Sequence, residues 1–251
     1  MDYLQYLLFF SLGLIVSVIN SLAGGGSTLS LPILIFLGLP PTVANGTNRI
    51  GLIVGNLSSM LNLKKHGYLY MPVFKQLFLP TLIGSILGVL ALVQMSDKLF
   101  QAILALVIFF VVFMTHLKKD ILGKAPDSPP TKRSFKGFLG FIVIGIYGSI
   151  VQVGVGFLQI FAISKYSGLS LIQVNTLKSA LTSVFLVIST IGLALSGKIL
   201  WDVALIMALG AWVGGYIGSS LQRKHGNQFI EKSITIISLL MACYLLYDLF
   251  K

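Results

Sequence analysis

The sequence predicts an all-α polytopic membrane protein built from two homologous, inverted repeats with broken, short helices at the centre. Three observations carry this reading. Hydrophobic residues make up 56% of the 251 positions and charged residues 10%, with a mean hydropathy of +0.94. Apolar runs long enough to cross a bilayer, which takes ~20 residues each, recur along the chain. The glycine and asparagine punctuation of the first half returns in the second at a constant shift.

In chain order, long apolar runs occupy Leu4–Leu22, Val43–Leu63, Pro72–Gln94 and Leu99–Leu117. No Lys or Arg precedes the first run, as a cleaved signal peptide would require, so Leu4–Leu22 is read as a retained span. A polar, Pro-containing segment, Lys118–Lys136, follows, and runs resume at Gly137–Gln152, Gln173–Leu195, Trp201–Leu221 and Phe229–Phe250. This divides the chain into a first transmembrane repeat (1–117), a linker (118–136) and a second repeat (137–251). Two apolar pieces, Leu29–Gly38 and Phe157–Tyr166, are about half a span long and sit just after glycine-rich breaks.

The breaks are where the pattern departs from lipid-spanning helix. Gly24, Gly25 and Gly26 interrupt the first apolar run, Ser27 and Thr28 offer N-cap oxygens for a new short helix, and Pro40 and Pro41 stop that helix after about Gly38. Backbone broken at membrane depth is tolerated only where protein buries it or a polar cavity adjoins it. A shift of 130 residues carries Gly24 and Gly26 onto Gly154 and Gly156, Gly38-Leu39 onto Gly168-Leu169 and Asn45 onto Asn175. The same shift carries Ser59, Gly67, Gly84 and Gly88 onto Ser189, Gly197, Gly214 and Gly218. One register held from the first break to the last spans is the mark of a duplication.

Charge placement sets orientation. If each short piece completes a crossing, each half has five segments and the halves are inverted. All Lys and Arg outside the motifs then face the cytoplasm except Lys98, Lys198 and Lys251, and both termini lie outside. If the short pieces do not cross, the halves are parallel; Lys165, Arg223, Lys224 and Lys232 move out, and Lys198 and Lys251 move in. The positive-inside rule favours inversion and a cytoplasmic linker. Inverted repeats with broken helices place substrate near the midplane, where half-helix ends converge.

Two cations lie deep in apolar surroundings, Arg49 and Lys178. Each starts the helix that follows a break, and each stands near a shared asparagine, Asn45 or Asn175. A cation there costs ~2.5–3.5 kcal/mol on insertion scales, so it should face a cavity or a partner. The acidic residues Asp2, Asp97, Asp120, Asp127, Asp202, Glu231 and Asp248 all lie in loops or near span ends. Two interior cations without interior carboxylates imply an anionic guest. Helix N-termini after Gly26 and Gly156 would add N–H donors. The candidate substrate site is therefore Gly24, Gly25, Gly26, Ser27, Thr28, Asn45, Thr47, Asn48 and Arg49 from the first half. From the second come Gln152, Gly154, Gly156, Asn175 and Lys178.

Other features read as structural. Gly84/Gly88, Gly214/Gly218 and Gly51/Gly55 have the small-xxx-small spacing of close helix packing. His66, His116 and His225 sit at loop edges with no metal-ligand spacing, and Trp201, Tyr68, Tyr70 and Tyr247 fit interfacial anchors. The single Cys243 excludes an internal disulfide. No phosphate-binding loop, zinc-protease motif or intramembrane acid pair is present, so neither an enzyme nor a direct ATP-driven pump is expected, and no cofactor or metal is called for. The net charge of +11 has no basic helix or aromatic platform to serve nucleic acid. The expected partners are a small anion and the lipid bilayer, and a homo-oligomer is compatible with the sequence.

The stretch Ala23–Arg49, A-G-G-G-S-T-L-S-L-P-I-L-I-F-L-G-L-P-P-T-V-A-N-G-T-N-R, resembles the signature of the sulfite exporter TauE/SafE family, also known as toluene-sulfonate uptake permeases. Gly145–Phe157 and Gly168–Lys178 are similar to its second motif pair, with Gln152-Val153, Val174 and Thr176 departing from the more usual residues. The resemblance extends over nearly the whole chain. It implies a multi-pass permease of the bacterial or archaeal cell membrane, with two homologous halves, for anions such as sulfite or organosulfonates. The competing expectation is an anion-selective channel or a sensor subunit without alternating access.

Overall fold

The computed structural model describes residues 3–23, 25–117 and 135–225. The linker from 118 to 134, Gly24, and the last apolar run with Cys243 lie outside the described residues. Those that are described form helices joined by short turns, with no strand among them. They are α1 (Tyr3–Ala23), α2 (Gly26–Phe36), α3 (Pro41–Lys65), α4 (Met71–Val93), α5 (Asp97–Leu117), α6 (Phe135–Ile150), α7 (Val155–Ser167), α8 (Leu171–Leu195) and α9 (Trp201–His225).

Four of these meet the length and hydropathy of a membrane span: Tyr3–Leu22, Met71–Val93, Leu171–Leu195 and Trp201–Lys224. Helix α3 has 25 residues, enough to cross, but it is too polar to count among them. The reason is its position. Asn45, Thr47, Asn48, Arg49, Asn56, Ser58, Ser59 and Asn62 are all buried inside protein and none meets lipid.

The expected side-chain N-cap of α2 does not form. Gly25 is the N-cap, with no side-chain cap bond, and Thr28 N–H donates instead to the Gly25 carbonyl. Ser27 Oγ is turned away and donates to the Gln152 carbonyl at 3.1 Å. The helix ends at Phe36, and Gly38 then takes a left-handed φ of +92°. Pro40 and Pro41 do more than stop it. They begin α3 at its N-cap and first position, where a missing N–H costs nothing. In the second half α6 stops at Ile150, and Gln152 (φ 58°) and Gly154 (φ 68°) turn the chain into α7.

Helix directions follow from the contacts. Phe10 and Leu14 of α1 lie against Gly210 and Gly214 of α9, and Val18 lies against Gly218, so α1 and α9 run the same way. Ser58 and Asn62 of α3 meet Trp212 and Tyr216, so α3 runs with them. Gly84 and Gly88 of α4 lie against Ile142 and Ile146 of α6, which makes that pair parallel too. Between α3 and α8 the sense reverses. Arg49, near the start of α3, donates to Ser189, near the end of α8, and Thr47 Oγ1 accepts from Leu200 N–H just beyond α8.

For α1 and α3 to run the same way, the chain must come back between them. Helix α2 begins beside Val16 and Asn20, where Gly26 packs, and its 11 residues span about 16 Å. Apolar residues from α1, α2, α3, α4, α6, α7, α8 and α9 then form one continuous core.

The α1–α9 and α4–α6 pairs approach at backbone distance. A Cβ on Gly214 would lie 2.1 Å from the Leu14 carbonyl oxygen, whereas one on Gly140 would meet nothing within 4 Å. Gly214→Ala should therefore force α1 and α9 apart and destabilise by about 1–3 kcal/mol. Gly140→Ala should be neutral or stabilising by up to about 1 kcal/mol, since Ala favours helix. Melting of the purified variants in detergent measures both, and equal melting temperatures would contradict the packing described.

Candidate functional site

Arg49 and Lys178 are both buried, at 0% and 1% exposure. Neither has a carboxylate partner among the described residues, whose acidic members, Asp97 and Asp202, are exposed in the first turns of α5 and α9. Both cations turn to backbone carbonyls. Arg49 Nη2 donates to the carbonyls of Ser149 (2.6 Å) and Ile150 (3.2 Å), the last two residues of α6, and to Asn45 Oδ1 (3.3 Å). Its Nη1 donates to Ser189 Oγ. Lys178 Nζ donates to the Asn20 carbonyl at 2.8 Å, in the last turn of α1. These carbonyls carry the negative end of the helix dipole, which favours a cation there.

The two contacts correspond. The shift that carries Asn45 onto Asn175 also carries Asn20 onto Ile150, so each half sends a cation to the matching carbonyl of the other. The cations themselves are one position out of register, because Lys178 matches Asn48 and Arg49 matches Ser179.

Asn45 ties this region together. Its Oδ1 accepts from Arg49 and from Gln152 Nε2 at 3.1 Å, and its Nδ2 donates to the Ile150 carbonyl at 3.1 Å. Gln152 in turn accepts Ser27 Oγ at its own carbonyl. It holds a left-handed φ of 58°, which for a long side chain costs of order 1–2 kcal/mol.

A small cavity of about 10 Å³ lies between the halves, at the mid-length of α3 and α8. Its polar wall is Asn20, Ser27, Asn56, Gln152, Lys178 and Thr182, and its apolar wall is Leu52, Val155, Phe185 and Leu186. Leu52 and Thr182, like Asn56 and Leu186, are related by the 130-residue shift, so the cavity straddles the line between the halves.

Of the residues proposed from sequence, Ser27, Gln152, Gly156 and Lys178 line this cavity. Arg49 and Asn45 stand behind it in the network just described. Thr47 is occupied by Leu200, and Gly25 and Gly154 are the N-caps of α2 and α7. Gly26 and Thr28 are buried in the first turn of α2 and are not on the cavity wall. Asn48 and Asn175 are buried with both side-chain polar atoms unpartnered. Gly24 is outside the described residues. Sequence reasoning missed Asn20, Asn56 and Thr182. Helical spacing holds the signal for two of them, since Asn45, Arg49, Leu52 and Asn56 share one face of α3, and Lys178 and Thr182 are four apart on α8.

The family model for the sulfite exporter TauE/SafE matches residues 9–245. The chain belongs to the sulfite exporter TauE/SafE family. It is 25% identical to a probable membrane transporter protein of Haemophilus influenzae, over 95% of this chain and 93% of that one. The probable membrane transporter YfcA of Escherichia coli is 26% identical, with 95% and 88% covered. YunE of Bacillus subtilis, which bears the same description, is 25% identical with 98% of each covered. No solved structure matches the chain. The TauE/SafE assignment makes this a membrane transporter and agrees with the absence of catalytic motifs.

Asn45→Ala would leave Gln152 Nε2 unpaired in the interior and remove one of the three acceptors that Arg49 Nη2 shares. It should destabilise the fold by about 1–3 kcal/mol, whereas Thr176→Ala, which removes only a bond to its own helix at Ile172, should cost about 1 kcal/mol or less. Thermal melts of the two variants compare them directly.

Proposed function

We propose that the chain is a secondary carrier that moves a small anion across the cell membrane, with a sulfur oxyanion such as sulfite or an organosulfonate as substrate. The observation that carries this is Lys178: a buried ammonium on the wall of a central polar cavity, with no carboxylate among the described residues to neutralise it. An anion is the guest that such a site stabilises, and the name of the family supplies the sulfur chemistry. The second amide N–H groups of Asn20, Asn56 and Gln152 would hydrogen-bond its oxygens, and the Leu52, Val155, Phe185 and Leu186 wall suits an organic substituent.

The cavity in this conformation holds about one water at most. An anion of several heavy atoms therefore enters only if the halves move, which favours a carrier over a standing pore. We read the halves as inverted repeats. In support, each helix runs opposite to its counterpart 130 residues on: α1 to α6, α3 to α8 and α4 to α9. Lys64, Lys65, Arg223 and Lys224 then fall at one end, where Arg223 Nη1 meets His66 Nε2 at 2.6 Å, and that end is cytoplasmic by the positive-inside rule.

Two measurements test this. Purified protein screened by thermal shift against sulfite, sulfate, thiosulfate, alkylsulfonates and carboxylates should be stabilised by a sulfur oxyanion, by about 2.7 kcal/mol at a hundredfold excess over Kd. A carrier will also exchange labelled for unlabelled anion in proteoliposomes, whereas a channel only dissipates a gradient. For topology, a cysteine placed at position 2 or 251 of a Cys243-free chain should react with an impermeant reagent from outside, and one at 127 should not. The reverse pattern rules out the orientation.

A further inference from the structure

We propose that the two buried cations divide the work: Arg49 is a permanent tie, and Lys178 is a movable one that leaves the Asn20 carbonyl to hold the substrate's anionic group. This rests on the anion-carrier reading above and assigns the two residues different roles within it.

The two make the same contact in corresponding places, but with different chemistry. Arg49 brings a planar fork whose two terminal nitrogens reach four acceptors on three elements: Ser149 and Ile150 of α6, Asn45 of its own helix and Ser189 of α8. A guanidinium so engaged is a clamp. It is absent from the cavity wall, and Asn45 and Gln152 stand between it and that wall. Lys178 is the opposite case. Its ammonium has three donors on a flexible stem, makes one hydrogen bond among the described residues, and lines the cavity.

The acceptor that Lys178 now uses also matters. Asn20 lies in the last turn of α1, just before the break into α2, and its side chain donates to Asn56 Oδ1 at 3.2 Å on the same cavity wall. An oxyanion arriving in the cavity offers Lys178 a full charge in place of a carbonyl dipole. When the ammonium turns to it, the end of α1 is released from α8. Substrate binding and the loosening of the α1–α2 break thus become one event, while the Arg49 clamp keeps the matching end of α6 fixed. The halves respond unequally, although their backbones correspond.

The probes are methanesulfonate and sulfite, with binding read by thermal shift and calorimetry on the full chain. Lys178→Met should weaken both by about 10- to 100-fold, the range for losing a charged hydrogen bond, and leave the ligand-free melting temperature within a few degrees. Arg49→Lys should do the reverse, with affinity changed by less than about 3-fold and ligand-free melting lowered by about 4 °C or more. On the unaltered protein, saturating methanesulfonate should speed amide exchange over Val18–Leu22 and leave Tyr147–Ile150 unchanged, a readout that needs no variant to fold. Wild-type affinity in Lys178→Met, loss of affinity in Arg49→Lys at unchanged melting, or slowed exchange at Val18–Leu22 would each overturn the proposal. If no anion stabilises the wild type at all, the carrier reading itself falls and this one falls with it.

Discussion

Two positive charges sit in the interior of this protein without a negative charge among the described residues to meet them, and much of the architecture answers that constraint. A lone cation at the centre of a bilayer is unfavourable by ~2.5–3.5 kcal/mol on insertion scales. The counterweight here is the carbonyl end of a helix, where dipole and charged hydrogen bonds contribute a comparable amount, about 1.5–3 kcal/mol per charged bond. That solution requires a helix to end at membrane depth, which is why α6 stops at Ile150 beside Arg49 and α1 stops just past Asn20 beside Lys178. The broken helices and the buried cations are one feature seen from two sides.

The close helix pairs follow from the same demand. Helix α3 carries so much polar surface that it cannot face lipid, and it is enclosed by α8 and α9 and by the short helix α2. Enclosure at this density needs the outer pairs to approach at backbone distance. Gly84 and Gly214 permit it, each holding a position where a Cβ would lie 2.1 Å from a carbonyl oxygen of the opposite helix. Packing thus supplies cohesion that lipid cannot, since lipid tails are as apolar as the side chains they would replace.

What was legible in the sequence was whatever depends on period and punctuation. The breaks at Gly25 and Gly154 and the short helices that follow them rest on local residues that permit or forbid helix. The depth of Arg49 and Lys178 was legible too, because the cost of burying a charge is independent of fold. Their partners were not. Backbone carbonyls leave no mark in a sequence, so nothing in the residues at 149 and 150 announces that they receive a guanidinium. Ser27 reads as a cap because its type favours caps, yet tertiary contact with Gln152 took its hydroxyl elsewhere. Asn20 and Asn56 are isolated polar residues in apolar runs, and only the crossing of α1 with α3 gives them a common cavity.

The same charge pattern bears on energy coupling. Carriers that move protons usually hold them on an Asp, Glu or His inside their spans. Among the described residues the acids are Asp97 and Asp202, exposed at helix starts, and His66 is exposed at the end of α3. None of these lies near the cavity, so on the proposed reading none of them carries a proton across with the substrate. An anion carried alone bears its charge through the field, and an inside-negative potential drives it outward by ~2.3 kcal/mol per charge per 100 mV. At ~1.4 kcal/mol per tenfold ratio, that one term sustains more than a tenfold outward gradient without a coupling ion. Inward movement of the same anion would have to overcome it. A site whose net charge becomes neutral on binding a monoanion at Lys178 makes the loaded carrier electrically silent there, and leaves the field to act on the empty, positively charged site as it returns.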